Sequence, residues 1–159
     1  VILFEPQRRT LISADALWEN GFGVVFPEIE GIAAFDEVAA TLDVIEQLRP
    51  ALVLPGHGSV FTDVDAALAT ARRRLEGFAT NPTRHALYAA KVLLKYKLLE
   101  WQQLPLTAVT AWLAATPYYG VLHQRYFADQ PVADWHASLV ADLERSGAAQ
   151  RQGDILVNL

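Results

Sequence analysis

The chain of 159 residues contains no cysteine, which excludes disulfides and thiolate metal ligands. It is also short of charge: charged residues make up 19% and hydrophobic residues 52%. Mean hydropathy is positive, at +0.17. No apolar run approaches the roughly 18 to 20 residues that span a bilayer, so a large core or a large buried interface must account for the apolar content. A basic region followed by an apolar stretch, the mark of a signal peptide, is missing. Internal repeats and low-complexity tracts are missing as well. The expected location is cytoplasmic, with no membrane partner. A basic excess is the last absence. Residues 1–83 carry six Lys/Arg against twelve Asp/Glu, and residues 84–159 seven against six. Neither half offers the positive field that binding to a phosphate backbone demands.

Read in order, Val1–Phe4 is an expected strand, Glu5–Arg9 a polar turn and Thr10–Ser13 a second strand, together a hairpin. Ala16–Gly23 reads as a glycine-containing loop and Val24–Pro27 as a short apolar segment. Asp36 is the expected cap of a helix reaching about Arg49, with Val38, Leu42, Ile45 and Leu48 on one face. Pro50 stops it, and Ala51–Leu54 is the next strand. Thr62 and Asp65 resemble a capping box. The helix they open places Val64, Leu68, Ala71, Leu75 and Phe78 on one stripe, with Arg72, Arg73 and Arg74 on a solvated face. Thr80–Thr83 is the expected domain boundary, giving domains 1–80 and 81–159.

Beyond the boundary the pattern turns helical: residues 84–100, then Thr107–Ala115, then a helix opened by Thr116 and Pro117. Pro131–Ser146 follows, ending at Gly147. Ala148–Leu159 reads as a hairpin turning near Gln152 and Gly153. Helices followed by a two-stranded wing describe a winged-helix-like module. Its Pro131–Ser146 helix carries Asp134, Asp142 and Glu144 against Arg145, a field that repels DNA. A cap over a site or a dimerisation surface fits this module better than a nucleic-acid reader.

The stretch with chemical promise is Leu52–Gly58, the run Leu-Val-Leu-Pro-Gly-His-Gly. A strand breaks off at Pro55 and Gly56 and presents His57 at its tip. The earlier strand Leu11-Ile12-Ser13-Ala14 ends directly in Asp15. One imidazole and one carboxylate on strand ends suggest half of a metal site, although an Asp and a His some forty residues apart are a weak signal by spacing alone. Asp15 suits a bridging ligand and His57 a terminal one. His and Asp donors accept zinc, iron or manganese alike.

Leu11–Trp18, the helix after it, and Leu54-Pro55-Gly56-His57-Gly58 together resemble the C-terminal half of the metallo-β-lactamase superfamily fold. The resemblance covers residues 1–80. It implies an α/β architecture, half of a four-layer αββα fold, followed by a mainly α winged-helix-like domain. It implies that Asp15 and His57 are metal ligands and that the parent protein holds two divalent ions, zinc first, iron or manganese otherwise. It implies hydrolysis by metal-bound hydroxide of an ester, thioester, lactone or phosphoester, on a small-molecule substrate. Ala14 departs mildly from the family, which often has glycine there. The larger departure is the absence of the His-x-His-x-Asp-His signature and of the third metal histidine. The expectation is therefore a C-terminal fragment that starts inside a domain and is inactive alone. Its apolar sheet is expected to be covered by the missing N-terminal half or by a second copy of the chain. A non-catalytic interaction or dimerisation module that retains the half-fold is the alternative.

Trp18 and Phe22 flank Asp15 and could form a substrate wall, or pack locally. Tyr118 and Tyr119, beside Gly120, could line a substrate cleft, or pack between helices. His85 is expected to face solvent or cap its helix. His123 and His136 are expected to be structural.

Overall fold

The computed structural model describes residues 1–159. It is mixed α/β, and the chain divides into two compact units, Val1–Asn81 and Pro82–Leu159. None of its helices is long and apolar enough to cross a membrane.

The first unit opens with strands β1 (Leu3–Glu5) and β2 (Thr10–Ala14), followed by helices α1 (Phe26–Glu30) and α2 (Phe35–Leu48). Strand β3 (Leu52–Pro55) and helix α3 (Val64–Thr80) complete it. The sheet order is β1-β2-β3. β1 pairs antiparallel with β2, as the hairpin pattern anticipates, and β2 pairs parallel with β3. A parallel pair needs a crossover connection, and α1 and α2 supply it. The outer edge of β3 is closed by a two-way backbone bridge from Val53 to Phe61.

Alternation decides which face of this sheet is covered. Leu11 and Val53 stand opposite each other in the ladder and are fully buried. They join Leu42 and Ile45 of α2 and Ala67, Leu68 and Ala71 of α3 in the buried set. Each large aliphatic side chain so buried contributes about 1.5–3 kcal/mol. The opposite face is different. Leu3 pairs with Ile12, and Ile12 with Leu54, in one row across all three strands. Their exposures are 61%, 48% and 37%. Arg72 of α3 bridges Asp43 and Glu46 of α2 at 2.8 and 2.9 Å. The Asp43 contact is the main influence raising the Arg72 pKa, and an exposed network of this kind stabilises by about 0–1 kcal/mol.

Two capping expectations need correction here, and a segment left without an assignment acquires one. The apolar segment at Val24–Pro27 runs into a helix, α1, because Pro27 sits in its first turn, where its fixed φ and missing N–H cost nothing. Asp36 does not cap α2. The backbone N–H groups of Ala34 and Phe35 instead donate to the Glu28 carboxylate from α1, at 2.5 and 2.8 Å. At α3 the capping side chain is Asp63, which accepts from Ala66 N at 3.1 Å, rather than Thr62.

The second unit comprises α4 (Pro82–Trp101), β4 (Gln103–Pro105), α5 (Leu106–Ala115), α6 (Pro117–Tyr126), α7 (Val132–Arg145) and the hairpin β5 (Ala149–Gln152) and β6 (Ile155–Asn158). Gly153, at φ +60°, makes the turn of that hairpin, a left-handed conformation that glycine adopts without penalty. β4, which the sequence pattern does not announce, pairs with β6 to give the order β4-β6-β5. Alanines at 86, 89 and 90 give α4 a small buried face. Tyr119 is fully buried there and donates its hydroxyl to Ala90 O at 3.1 Å. Lys95 ties the hairpin down: its ammonium donates to Ala148 O, Asn158 Oδ1 and Leu159 O at 2.7, 2.6 and 2.6 Å.

Candidate functional site

Because β2 and β3 run parallel, their C-terminal ends reach the same end of the sheet, the side where α/β sheets bind ligands. Asp15 follows β2 and His57 follows β3, so the two side chains converge. His57 Nε2 lies 3.6 Å from Asp15 Oδ1, with side-chain exposures of 54% and 71%. This pair, chosen on sequence alone, is brought together and left open to solvent.

Three backbone devices make the convergence possible. The β2–β3 register shifts between Ile12 and Ala14, and an irregularity of this kind re-aims a strand end. Ala14 then sits at φ +46°, in the left-handed region that favours glycine. That conformation is what a glycine at this position would serve. Finally, Gly56 donates its N–H to Ala14 O at 2.8 Å. A Cβ on Gly56 would meet Asp15 Oδ1 at 2.8 Å and the Ala14 backbone at 3.1 Å. The glycine before His57 is therefore required by the approach of the Asp15 carboxylate to the neighbouring strand tip.

The loop after Asp15 is pinned from below. Ser13 is fully buried, and its hydroxyl donates to Leu17 O at 2.6 Å. Trp18 and Gly21 exchange backbone hydrogen bonds at 2.6 and 3.2 Å. Gly21 is at φ +109°, and a Cβ there would also strike the Arg74 guanidinium. Arg74 donates to Phe22 O at 2.5 Å, so this member of the arginine triplet anchors the loop instead of simply facing solvent. The sequence marks Ala14 as a departure from the family's glycine and Arg74 as one of a solvated triplet, but it gives neither of them, nor Ser13 or Gly23, a part in holding the site. The glycines of the loop carry a local signal, and it does not say what they approach.

Trp18 lies against His57, with ring centroids 5.0 Å apart and planes at 81°. Phe22 is 3% exposed and packs edge-on against Phe78, so its ring fills the interior of the first unit. Tyr119 is likewise interior to the second unit, and burial raises its pKa. Tyr118 is half-buried on α6. His85 is 2% exposed and does not face solvent: it falls on the alanine face of α4. His123 Nε2 lies 2.9 Å from Gln130 O. His136 is buried, and its pKa is lowered first by burial and then by repulsion from His123.

As a metal site the pair is incomplete. A catalytic zinc centre uses three protein ligands and leaves a fourth position open. Here two donors converge, and no group of three or more His, Cys, Asp or Glu side chains does. The residues present do not by themselves make a metal centre.

No protein-family model matches the chain, and no curated protein matches it. Among solved structures it is similar to a metallo-beta-lactamase family protein from Thermus thermophilus, at 19% identity and a TM-score of 0.32. The match covers 99% of this chain and 44% of that protein, so the chain spans less than half the length of the relative.

Proposed function

We propose that this chain is the C-terminal part of a metal-dependent hydrolase, with Asp15 and His57 as two of its metal ligands. The observation that carries the reading is their convergence at 3.6 Å on adjacent parallel strand ends. Gly56 is the position where a side chain would forbid it. In this reading the remaining ligands lie outside these residues, and the 159-residue chain is inactive alone. The substrate class is a small ester, thioester, lactone or phosphoester, and the ions are divalent, with zinc preferred over iron or manganese. In the same reading the second unit, helices followed by a two-stranded hairpin, is a winged-helix-like dimerisation surface.

The partner belongs to the same proposal. The row Leu3, Ile12 and Leu54 is exposed, and a contiguous apolar sheet face invites cover. We assign that cover to the N-terminal half of the same domain or to a second copy of the chain. The same row supports the second reading, an interaction module that keeps the half-fold without the chemistry.

The test uses the complete gene product containing these residues. Metal content and hydrolysis of thioester, lactone and phosphodiester model substrates are measured with and without Asp15→Asn and His57→Gln. Both variants should lose metal and lower turnover by roughly 10²-fold or more, the scale set by lost electrostatic stabilisation. Full metal occupancy and activity in both variants would remove the hydrolase reading and leave the interaction module.

A further inference from the structure

Trp18 has more holding it in place than a loop tryptophan needs for packing. Its backbone is locked by the two hydrogen bonds to Gly21. Its ring runs so close to Gly23 that a Cβ there would lie 3.0 Å from the far edge of the indole. A side chain at Gly23 would press on that ring. The indole Nε1–H is buried and makes no hydrogen bond, so the ring's position is not explained by a polar partner. What the ring does meet is His57, in the perpendicular arrangement that aromatic pairs favour. His57 is otherwise half-exposed, and its flanking Gly56 and Gly58 offer no side chains to fix its rotamer.

We infer that Trp18 is a positioning residue for His57: the braced indole selects the His57 rotamer that points Nε2 at Asp15. This deepens the proposed function and rests on it for the meaning of the rotamer, though not for its existence. A preset imidazole spares the ordering entropy that a ligand or reactant side chain would otherwise lose on engagement. It also gives the loop Ala16–Gly23 a role distinct from that of a substrate wall.

The experiment is solution NMR on the full 159-residue chain, reading the three-bond couplings from the His57 ring carbon Cγ to the backbone N and carbonyl carbon. Wild type should show a single χ1 rotamer. Trp18→Phe, which keeps a ring edge, should retain it. Trp18→Ala should average the couplings, with the minor rotamers gaining roughly two- to twelvefold relative to the main one, the range expected for one aromatic contact. If Trp18→Ala does not fold, Gly23→Ala decides, since its methyl displaces the indole without deleting it. A purely structural Trp18 would change the unfolding temperature and leave the His57 couplings unmoved, and that result would overturn the inference. Adding zinc to the complete gene product separates the two ideas: a His57 that ignores zinc there contradicts the ligand reading, whereas the couplings in the 159-residue chain judge the positioning role without it.

Discussion

The two units place histidine and aromatic residues in opposite ways. In the second unit Trp135 is 1% exposed and meets Tyr119, His123, Phe127 and His136 at 6.1, 5.5, 5.0 and 5.4 Å. Its histidines serve packing. In the first unit the only histidine stands in solvent beside a carboxylate, on backbone that packing alone would not choose. A left-handed alanine and a glycine that admits no Cβ are local costs. The lesson is that burial marks structure in one unit, whereas in the other the backbone irregularity marks the candidate site.

The largest expected effect tests the second unit. Trp135→Ala should destabilise it by roughly 3–5 kcal/mol, measured by chemical denaturation followed through amide exchange at Leu122 and Leu139. A loss under about 1 kcal/mol, the level of a surface change, would deny Trp135 its central place. Next is Gly56→Ala in the first unit. Forcing a methyl against Asp15 and Ala14 should cost roughly 1–3 kcal/mol and drive the carboxylate from His57. Unchanged stability with intact Asp15–His57 cross-relaxation would show that the tips tolerate a side chain.

A third test uses pH. The His136 pKa is lowered in the folded protein, so the unfolded chain binds the proton more readily. Its contribution is whole above the ordinary histidine pKa of about 6.5 and is lost as pH falls from there through the folded value. His136→Gln should flatten that slope in a series of denaturation curves between neutral and mildly acidic pH. A slope that survives the substitution would assign it to another group. The smallest effect is a gain: Ala14→Gly should relieve the left-handed strain and stabilise by roughly 0.5–1 kcal/mol, net of glycine's extra unfolded-state entropy. The pair should keep its geometry. Destabilisation would mean that the alanine methyl packs usefully.

Much of the fold could be read from the residues, because periodicity is a local property. The β1–β2 hairpin, the face of α2 with Leu42 and Ile45, the stripe of α3 and the terminal hairpin all follow from alternation or helical spacing. What escaped was non-local. β4 is three residues long and exists by pairing with β6. The N-terminus of α2 is satisfied by Glu28, which no rule about the adjacent residue would find. The solvent-facing alternative for His85 fails because a polar residue among alanines gives no sign of which neighbours will enclose it. At the site, Asp15 and His57 are both visible as strand-end residues, and His57 is also flanked by glycines. Their meeting depends on a parallel register, and the bracing of Trp18 depends on Gly23 and on Arg74 from α3.

The central claim is that Asp15 and His57 are two ligands of an incomplete metal centre. Its most direct test is a zinc titration of the 159-residue chain, followed by NMR and calorimetry. The account predicts weak binding that does not saturate at one equivalent, with resonance changes confined to Asp15, His57 and the adjoining Trp18 ring. Both Asp15→Asn and His57→Gln should abolish those changes. Tight stoichiometric binding, or binding indifferent to both substitutions, would contradict it.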